Sequence, residues 1–170
     1  TVAGEVTPAL FFAVTLSDSL EAAFRSRVEA LGFDLADLRI GGTPQRPLVQ
    51  VRIDWPPGEA RSVSVADCAT VSRALEAWLD AGEGGAGALL GRRYQLEVSS
   101  PGLERPVRWH RHWTAFVGRE VNAKLPGLGR VRARIVAVPD EHTVVLEPQG
   151  APARPVPLAE IRDARLAVDW

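Results

Sequence analysis

The hydrophobic pattern of the sequence changes at residues 99–106, and no other feature constrains the fold as strongly. Before this segment, stretches with the 3.6-residue period of an α-helix alternate with stretches that have the period of two typical of a β-strand. After it, the apolar segments are short, evenly spaced and separated by Pro-Gly, Pro-Asp and Gln-Gly turns. A single change of this kind predicts two domains, which we expect at residues 17–98 and 107–170.

Two helices are predicted in the first domain. Ser17 is the expected cap of a helix whose apolar residues repeat every three or four positions up to Gly32. The sequence Ser-Val-Ala-Asp at residues 64–67 has the form of a capping box, and it opens a second helix that ends near Gly82. The chain contains no methionine, and we expect residues 1–16 to be an N-terminal tail outside the fold.

Three strands are predicted around these helices. The first covers residues 33–40, and its alternation changes phase between Leu35 and Leu38, as it does at a β-bulge. The other two, at residues 49–55 and 94–98, alternate apolar and polar side chains as half-buried strands do. The resulting order, α-β-β-α-β, predicts an α+β domain in which two helices pack on a three-stranded sheet.

The second domain is predicted to be a small barrel. A short helix comes first, with Trp109, Trp113, Phe116 and Val117 on one face. Five short strands follow it, near residues 120–125, 130–138, 143–147, 154–158 and 163–168. Evenly spaced short strands with turn signals between them are typical of a closed or nearly closed β-barrel.

The segment between the two domains reads LEVSSPGLERPV over residues 96–107. Pro101 and Gly102 suit the two central positions of a type II turn, because proline has the φ of the first and glycine tolerates the positive φ of the second. Pro106 removes a further backbone donor. We therefore expect residues 99–106 to be a short, stiff linker, although a turn without a functional role fits the same residues.

No set of residues in the sequence predicts catalysis or a metal centre. Cys68 is the single cysteine, and its helical pattern favours a small core residue. His110 and His112 are two positions apart, on different sides of a helix, and we expect them and His142 to be solvated. The glycine-rich residues 82–87 follow a helix instead of a strand, which argues against a dinucleotide site. We expect no cofactor, no metal and no enzymatic activity.

The formal charge is divided unequally along the chain. Residues 1–98 contain 9 arginines and 13 Asp or Glu residues, a net charge of −4. Residues 99–170 contain 11 Arg or Lys and 8 Asp or Glu residues, a net charge of +3. We expect the acidic half to meet a basic partner, with Asp34, Asp37 and Asp54 as candidate carboxylates.

The strand near residues 130–138 carries a stripe of arginines. Val131, Ala133 and Ile135 are expected to point inward, so that the alternate residues face outward. Candidates for contact with RNA or with another partner are the outward arginines and two basic residues before them: Arg119, Lys124, Arg130, Arg132 and Arg134. Such arginines can equally serve only to solubilise an exposed face, and no aromatic residue for stacking on bases lies among them.

Several of these segments resemble the ribosome maturation factor RimP family. The clearest likeness is the segment LEVSSPGLERPV, followed by a short aromatic helix and FVGREVNAKL. The likeness extends to ALGFDLADLRI, VRIDW, SVADCATVSRALEAWLD and VPLAEIRDARLAV, and so covers residues 17–168. The site that the resemblance suggests is the linker motif: Ser99, Ser100, Pro101, Gly102, Leu103, Glu104, Arg105 and Pro106.

The resemblance implies an N-terminal α+β domain followed by an SH3-like or Sm-like barrel. It also implies a non-enzymatic assembly factor for the small ribosomal subunit, which binds precursor particles and the small-subunit ribosomal protein numbered twelve, with ribosomal RNA as a further candidate. A free-standing RNA-binding Sm-like module is the alternative, although a pI near 6.3 is low for one. The longest apolar run, at residues 9–14, is too short to cross a bilayer, so we expect a cytoplasmic protein without a membrane partner.

Overall fold

The structure is a computed structural model that describes residues 8–59, 61–81 and 94–168. The chain divides into two compact units, Thr1–Ser100 and Pro101–Trp170. The glycine-rich stretch at residues 82–87, for which no nucleotide site is expected, lies outside the described residues.

The first unit is an α+β domain built on one three-stranded sheet. Its elements are α1 (Pro8–Ala30), β1 (Asp34–Thr43), β2 (Arg46–Asp54), α2 (Val65–Asp80) and β3 (Gln95–Ser99). The strand order is β1-β2-β3, in which β1 is antiparallel and β3 is parallel to β2. The predicted α+β class and the order of these elements are confirmed.

The first helix begins earlier than the sequence pattern predicts. Pro8 is its first residue, a position where the missing N–H of proline costs no hydrogen bond. The helix then runs through Ser17, so the prediction of a cap there is wrong, and residues 8–16 are helical instead of forming a tail. No glycine or second proline interrupts this stretch, which lets the helix extend. Gly32, just beyond the helix, has the expected left-handed conformation with φ +92°.

Strand β1 contains the β-bulge that the change of phase predicts. Its register against β2 shifts between Leu35 and Asp37. The extra residue turns Leu38 to the face that carries Leu35, and both leucines are buried. In the same core, Phe24 of α1 meets Trp78 of α2 edge to face, with ring centres 5.2 Å apart. The remaining core is contributed by Val28, Val49, Val51, Ile53, Val71, Leu75 and Leu79.

The second unit consists of a short helix and one antiparallel sheet. Its elements are α3 (His110–Ala115), β4 (Glu120–Leu125), β5 (Gly129–Asp140), β6 (Thr143–Pro148), β7 (Arg154–Pro157) and β8 (Arg162–Leu166). The strand order is β7-β6-β5-β4-β8, and the strands lie close to their predicted bounds. Among the described residues β7 and β8 do not pair with each other, so the sheet is open there and the closed form of the predicted barrel is not seen.

The core of the second unit surrounds Trp113, which is almost completely buried. Phe116 is buried beside it, whereas Val117, predicted on the same face of the short helix, is exposed. Alternate residues of the strands fill the rest of this core: Val121, Ala123, Leu125, Ala133, Ile135, Val144, Leu146, Val156, Ala164 and Leu166. The opposite positions of these strands therefore face outward.

Both edges of the second sheet are protected against strand addition. Strand β7 carries Pro155 and Pro157, which have no N–H to offer an added strand. Strand β8 is covered by residues 105–107, which bond to Ala164 and Leu166. A partner that binds by pairing with an exposed strand is therefore not favoured at either edge.

Replacing Ser64 with Ala tests the capping box at the start of α2. The Ser64 hydroxyl accepts a hydrogen bond from the Asp67 N–H at 3.0 Å, and the Asp67 carboxylate accepts one from the Ser64 N–H at 2.9 Å. We expect Ser64→Ala to lower the free energy of unfolding by about 1 kcal/mol in urea denaturation. Ser62→Ala, which changes an exposed serine outside the helix, is the control and is expected to leave it unchanged.

The same experiment has a defined pH dependence. The hydrogen bond from the Ser64 backbone, followed by that with its side chain, holds the pKa of Asp67 below its ordinary value of 3.8. A carboxyl with a depressed pKa stabilises the fold above its unfolded pKa, and the contribution is lost as the pH falls through the folded pKa. Ser64→Ala keeps the backbone bond and removes only the contribution of the side chain, so the difference between the free energies of unfolding of wild type and Ser64→Ala is expected to narrow slightly in acid. A difference that widens in acid would contradict this account.

Candidate functional site

The segment 99–106 is divided between the two units. Ser99 ends β3 and Ser100 ends the first unit, so the other six residues belong to the second. Leu103 is 70% exposed, and Glu104 beside it is also exposed. The middle of the segment therefore presents an apolar and an acidic side chain to solvent.

Gly102 has the positive φ that the turn prediction requires. Its φ is +78°, which lies in the left-handed region that side chains with a Cβ rarely adopt. No heavy atom lies within 4 Å of the place where a Cβ would stand. The backbone conformation, and not crowding, is therefore the reason for glycine at this position.

Arg105 anchors the end of the segment inside the second unit. Its side chain is 4% exposed, and a terminal nitrogen lies 3.1 Å from His112 Nε2. Its guanidinium carbon is 5.0 Å from the centre of the Phe116 ring. Since arginine has donors alone, this hydrogen bond requires a neutral His112 whose Nε2 accepts. The arginine of the motif is therefore a buried structural residue and not a surface contact.

Backbone hydrogen bonds hold the same residues against β8. The Leu166 N–H donates to Arg105 O at 2.8 Å, and the Val107 N–H donates to Ala164 O at 2.9 Å. Pro106 lies between these two bonds and has no N–H of its own. These three residues therefore belong to the sheet of the second unit, although the sequence pattern assigns two of them to the linker.

His112 is not solvated, so that prediction is wrong. The side chain is 1% exposed, because Arg105 covers the side of α3 that the sequence pattern leaves open to water. His110 is half-buried, and His142 is exposed in the turn before β6. Within the part of the chain that the structure describes, no three His, Cys, Asp or Glu side chains are arranged to hold a metal ion. No helix in this part of the chain is long and apolar enough to cross a bilayer.

The arginine stripe on β5 has the predicted orientation. Ala133 and Ile135 are buried, whereas the arginines between and before them face outward. Each arginine of the stripe forms an ion pair. Arg132 pairs with Glu120 at an N–O distance of 2.7 Å, and Arg134 pairs with Glu147 at 3.2 Å. Arg130 pairs with Asp163. The stripe is therefore partly neutralised within its own sheet.

Cross-strand pairing extends the stripe into a larger basic face. Residues directly opposite each other in antiparallel strands lie on the same face of the sheet. Lys124 of β4 is opposite both Arg130 of β5 and Arg162 of β8, and three cations thus form one row. The second row consists of Arg165, Asn122 and Arg132. The third row consists of Glu120, Arg134 and Glu147. We call the outward side chains of these three rows, together with Asp163, the basic face.

Asp163 joins two arginines of the basic face. It accepts hydrogen bonds from Arg130 and, at 3.3 Å, from Arg165. Among the described residues it is the one non-glycine residue with a positive φ, +49°, and it lies where the register of β8 against β4 shifts. Burial raises its pKa, but the hydrogen bonds from the two arginines outweigh this and hold the pKa of Asp163 below 3.8. The carboxylate therefore stays charged at neutral pH and holds both guanidinium groups at the surface.

Sequence reasoning identified four of the six cations on the basic face and missed the other two. Arg162 and Arg165 were missed because the irregularity at Asp163 breaks the alternation of β8. The basic composition of the segment EIRDAR was the one available signal. Arg119 does not belong to this face, since it precedes β4 and its guanidinium carbon lies 5.9 Å from the centre of the Phe116 ring.

The candidate carboxylates of the first unit are largely structural. Asp37 is 2% exposed, accepts a hydrogen bond from the Leu38 N–H at 3.0 Å and pairs with Arg39. Asp34 is also buried, and half-buried Asp54 accepts a bond from the N–H of the next residue. The choice of the first two as contact residues for a basic partner is therefore wrong, because both side chains are buried.

Exposed acidic residues of the first unit lie elsewhere, between α2 and β3. Glu76, Asp80 and Glu97 line a shallow depression together with Tyr94. The Tyr94 hydroxyl donates to the Asp80 carboxylate at 2.8 Å, and burial together with this bond raises the pKa of Tyr94 to about 12. These carboxylates give the first unit an acidic surface that is open to solvent.

Comparison with known families identifies the first unit. The family model described as the RimP N-terminal domain matches residues 24–104. The matched range begins inside α1, covers the sheet and α2, and ends at Glu104 in the exposed middle of the segment between the units.

Replacing Gly102 tests the turn. Gly102→Val is expected to lower the free energy of unfolding by about 1–2 kcal/mol, because a branched side chain is strained at positive φ. Gly102→Asn is the control, since asparagine tolerates this conformation better and should cost less. Equal losses for the two variants in urea denaturation would contradict a strained backbone as the cause.

Replacing Arg105 tests the buried anchor. Arg105→Ala leaves His112 Nε2 without this donor and is expected to cost about 2 kcal/mol of stability. Arg119→Ala is a matched control, because Arg119 also lies over the Phe116 ring but is exposed, and its loss should stay within about 0.5 kcal/mol. Similar melting temperatures for both variants would show that the anchor does not stabilise the second unit.

Proposed function

Because the chain belongs to the RimP family of ribosome maturation factors, we propose that it assists assembly of the small ribosomal subunit without catalysing a reaction. The observation that carries the proposal is the family match, which runs through the first unit and into the motif at residues 99–104. The protein would act in the cytoplasm, by associating with precursor particles, and would need no cofactor or metal.

The two halves of the motif would have different roles in this function. Arg105 and Pro106 are bound into the second unit, where they hold the segment in place. Leu103 and Glu104 are exposed and are available to a partner. An exposed leucine at the end of a well-anchored segment is suited to contact with a particle, because burying it gains free energy and little chain entropy is lost.

The basic small-subunit ribosomal protein numbered twelve is the proposed protein partner of the first unit. Its positive charge is complementary to the net charge of −4 in residues 1–98. Glu76, Asp80 and Glu97 are the carboxylates proposed for such a contact, because they lie together around one depression. The second unit, as the SH3-like or Sm-like module, would then be free to meet other parts of the particle, including ribosomal RNA.

A free-standing RNA-binding module is the second candidate, and the basic face is the observation that favours it. Six cations and three carboxylates on that face leave a local excess of positive charge. The whole chain nevertheless has a formal net charge of −1, which weakens binding to RNA in the absence of a protein partner. Recognition of RNA and protein together is therefore preferred.

Co-sedimentation with ribosomal particles tests the proposal. Tagged protein is expected to migrate with small-subunit precursors in a density gradient, and not with mature large subunits. Leu103→Ser should weaken this association about tenfold, since it removes one apolar contact. Leu128→Ser, which changes another exposed leucine of the second unit, is the matched control and should have no effect.

Two outcomes would count against this function. Wild-type protein that stays at the top of the gradient in the presence of excess precursors would contradict it. Equal affinity for naked ribosomal RNA and for the precursor particle would favour the free-standing RNA-binding module instead.

A further inference from the structure

The basic face has the geometry of a surface for an extended anion. Its three rows cross strands β8, β4, β5 and β6, which lie about 4.8 Å apart, and successive rows are about 6.8 Å apart along the strands. The cations are therefore arranged in two dimensions and not on one strand edge. Successive phosphates of a nucleic acid strand are separated by a distance similar to that between the rows.

We propose that the basic face binds the phosphate backbone of double-helical RNA. The choice of RNA rests on the proposed function in ribosome maturation, whereas the anion-binding surface itself rests on the structure. The residues that this assigns beyond the arginine stripe are Asn122, Arg162, Asp163 and Arg165.

Lys124 and Arg162 are the cations of the face that are most available to a phosphate. They are opposite each other on β4 and β8, both are exposed, and among the described residues neither is paired with a carboxylate. Arg130 lies in the same row, with its guanidinium held by Asp163. Charge repulsion within this row is relieved when a phosphate binds, because each phosphate oxygen can accept from more than one of these groups.

The ion pairs elsewhere on the face do not prevent binding. Arg134 and its partner Glu147 are about half-exposed, and exposed ion pairs are worth only about 0–1 kcal/mol. A phosphate that offers bidentate hydrogen bonds can therefore share or replace the carboxylate. Arg132 and Glu120 are less exposed, and this pair keeps its guanidinium in place at the centre of the face.

The composition of the face favours a duplex over a single strand. Proteins that bind single strands stack bases on aromatic side chains, and none of the residues that define the basic face is aromatic. Recognition of duplex RNA depends instead on phosphates, 2′-hydroxyls and shape. Asn122, between Arg132 and Arg165, offers both a donor and an acceptor to such hydroxyls.

Asp163 affects how tightly the basic face binds a phosphate. It holds Arg130 and Arg165 side by side, but its own negative charge opposes the approach of a phosphate. Asparagine at this position would keep the left-handed backbone conformation and remove the charge. Asp163→Asn is therefore expected to bind duplex RNA about threefold more tightly than wild type.

An RNA-binding measurement tests the proposal. The protein is titrated into a fluorescent RNA duplex of about 16 base pairs, and binding is followed by fluorescence anisotropy at several salt concentrations. Lys124→Gln/Arg162→Gln is expected to bind about tenfold more weakly and to lower the salt slope by about 1.8, since two cations are lost. Arg46→Gln/Arg73→Gln removes two exposed arginines from the first unit and is the matched control, with affinity unchanged. Unchanged thermal melting of both double variants shows that folding is intact.

Three results would overturn the proposal. The first is an affinity and a salt slope of Lys124→Gln/Arg162→Gln equal to those of wild type. The second is equal or tighter binding to the single strand of the same sequence. The third is that polyglutamate displaces the labelled duplex as effectively as unlabelled duplex does at the same concentration of negative charge. This result would identify the face as a site for acidic proteins.

Gradient co-sedimentation separates this proposal from the proposed function. In one outcome, wild-type protein associates normally with precursors, but Lys124→Gln/Arg162→Gln has no effect on duplex binding. This result would refute the RNA surface and would not affect the proposed maturation function. The reverse result, in which the variant loses duplex binding but wild type never associates with precursors, would support the surface and refute the function.

Discussion

The contact between buried Arg105 and His112 is the interaction on which the arrangement of the second unit depends. A guanidinium removed from water must find acceptors for its donors, and the imidazole nitrogen and the Phe116 ring meet part of that need here. The backbone of Arg105 and of Val107 pairs with β8, so the anchor also protects the free edge of that strand. Since β8 pairs with β4 on its other side, its register decides which basic residues share the outer face of the sheet.

The ion pairs on the outer face of this sheet add little to stability, which is consistent with the binding role proposed for the face. Its ion pairs are partly exposed, and such pairs contribute little to the free energy of folding because water screens them and long side chains lose entropy. They do hold guanidinium groups in fixed positions on a rigid sheet. The left-handed Asp163 is consistent with this view, since backbone strain concentrates where a position serves function.

Three features that depend on neighbouring residues were predicted correctly. The capping box at Ser64, the bulge after Leu35 and the strands of the second unit each follow from local hydrogen bonding or from a short periodic pattern. The start of α1 was wrong because several residues can begin a helix, and Ser17 was only the best cap among them. The positive φ of Gly102 was predicted from its place after proline, although its role in function stays a prediction.

Local sequence was sufficient for the α+β class of the first unit and for the outward direction of the β5 arginines, because periodicity distinguishes helices from strands and specifies which side of a strand is buried. Tertiary contacts decided the rest. Arg105 and His112 are only seven positions apart, and their polar side chains predict surface residues, but in the fold the two side chains contact each other and both are buried. Arg162 and Arg165 join the basic face only because β8, last of the strands in the chain, pairs with β4, the first strand of the second unit. Pairing between distant strands is set by the packing of the whole core, and no local pattern encodes it.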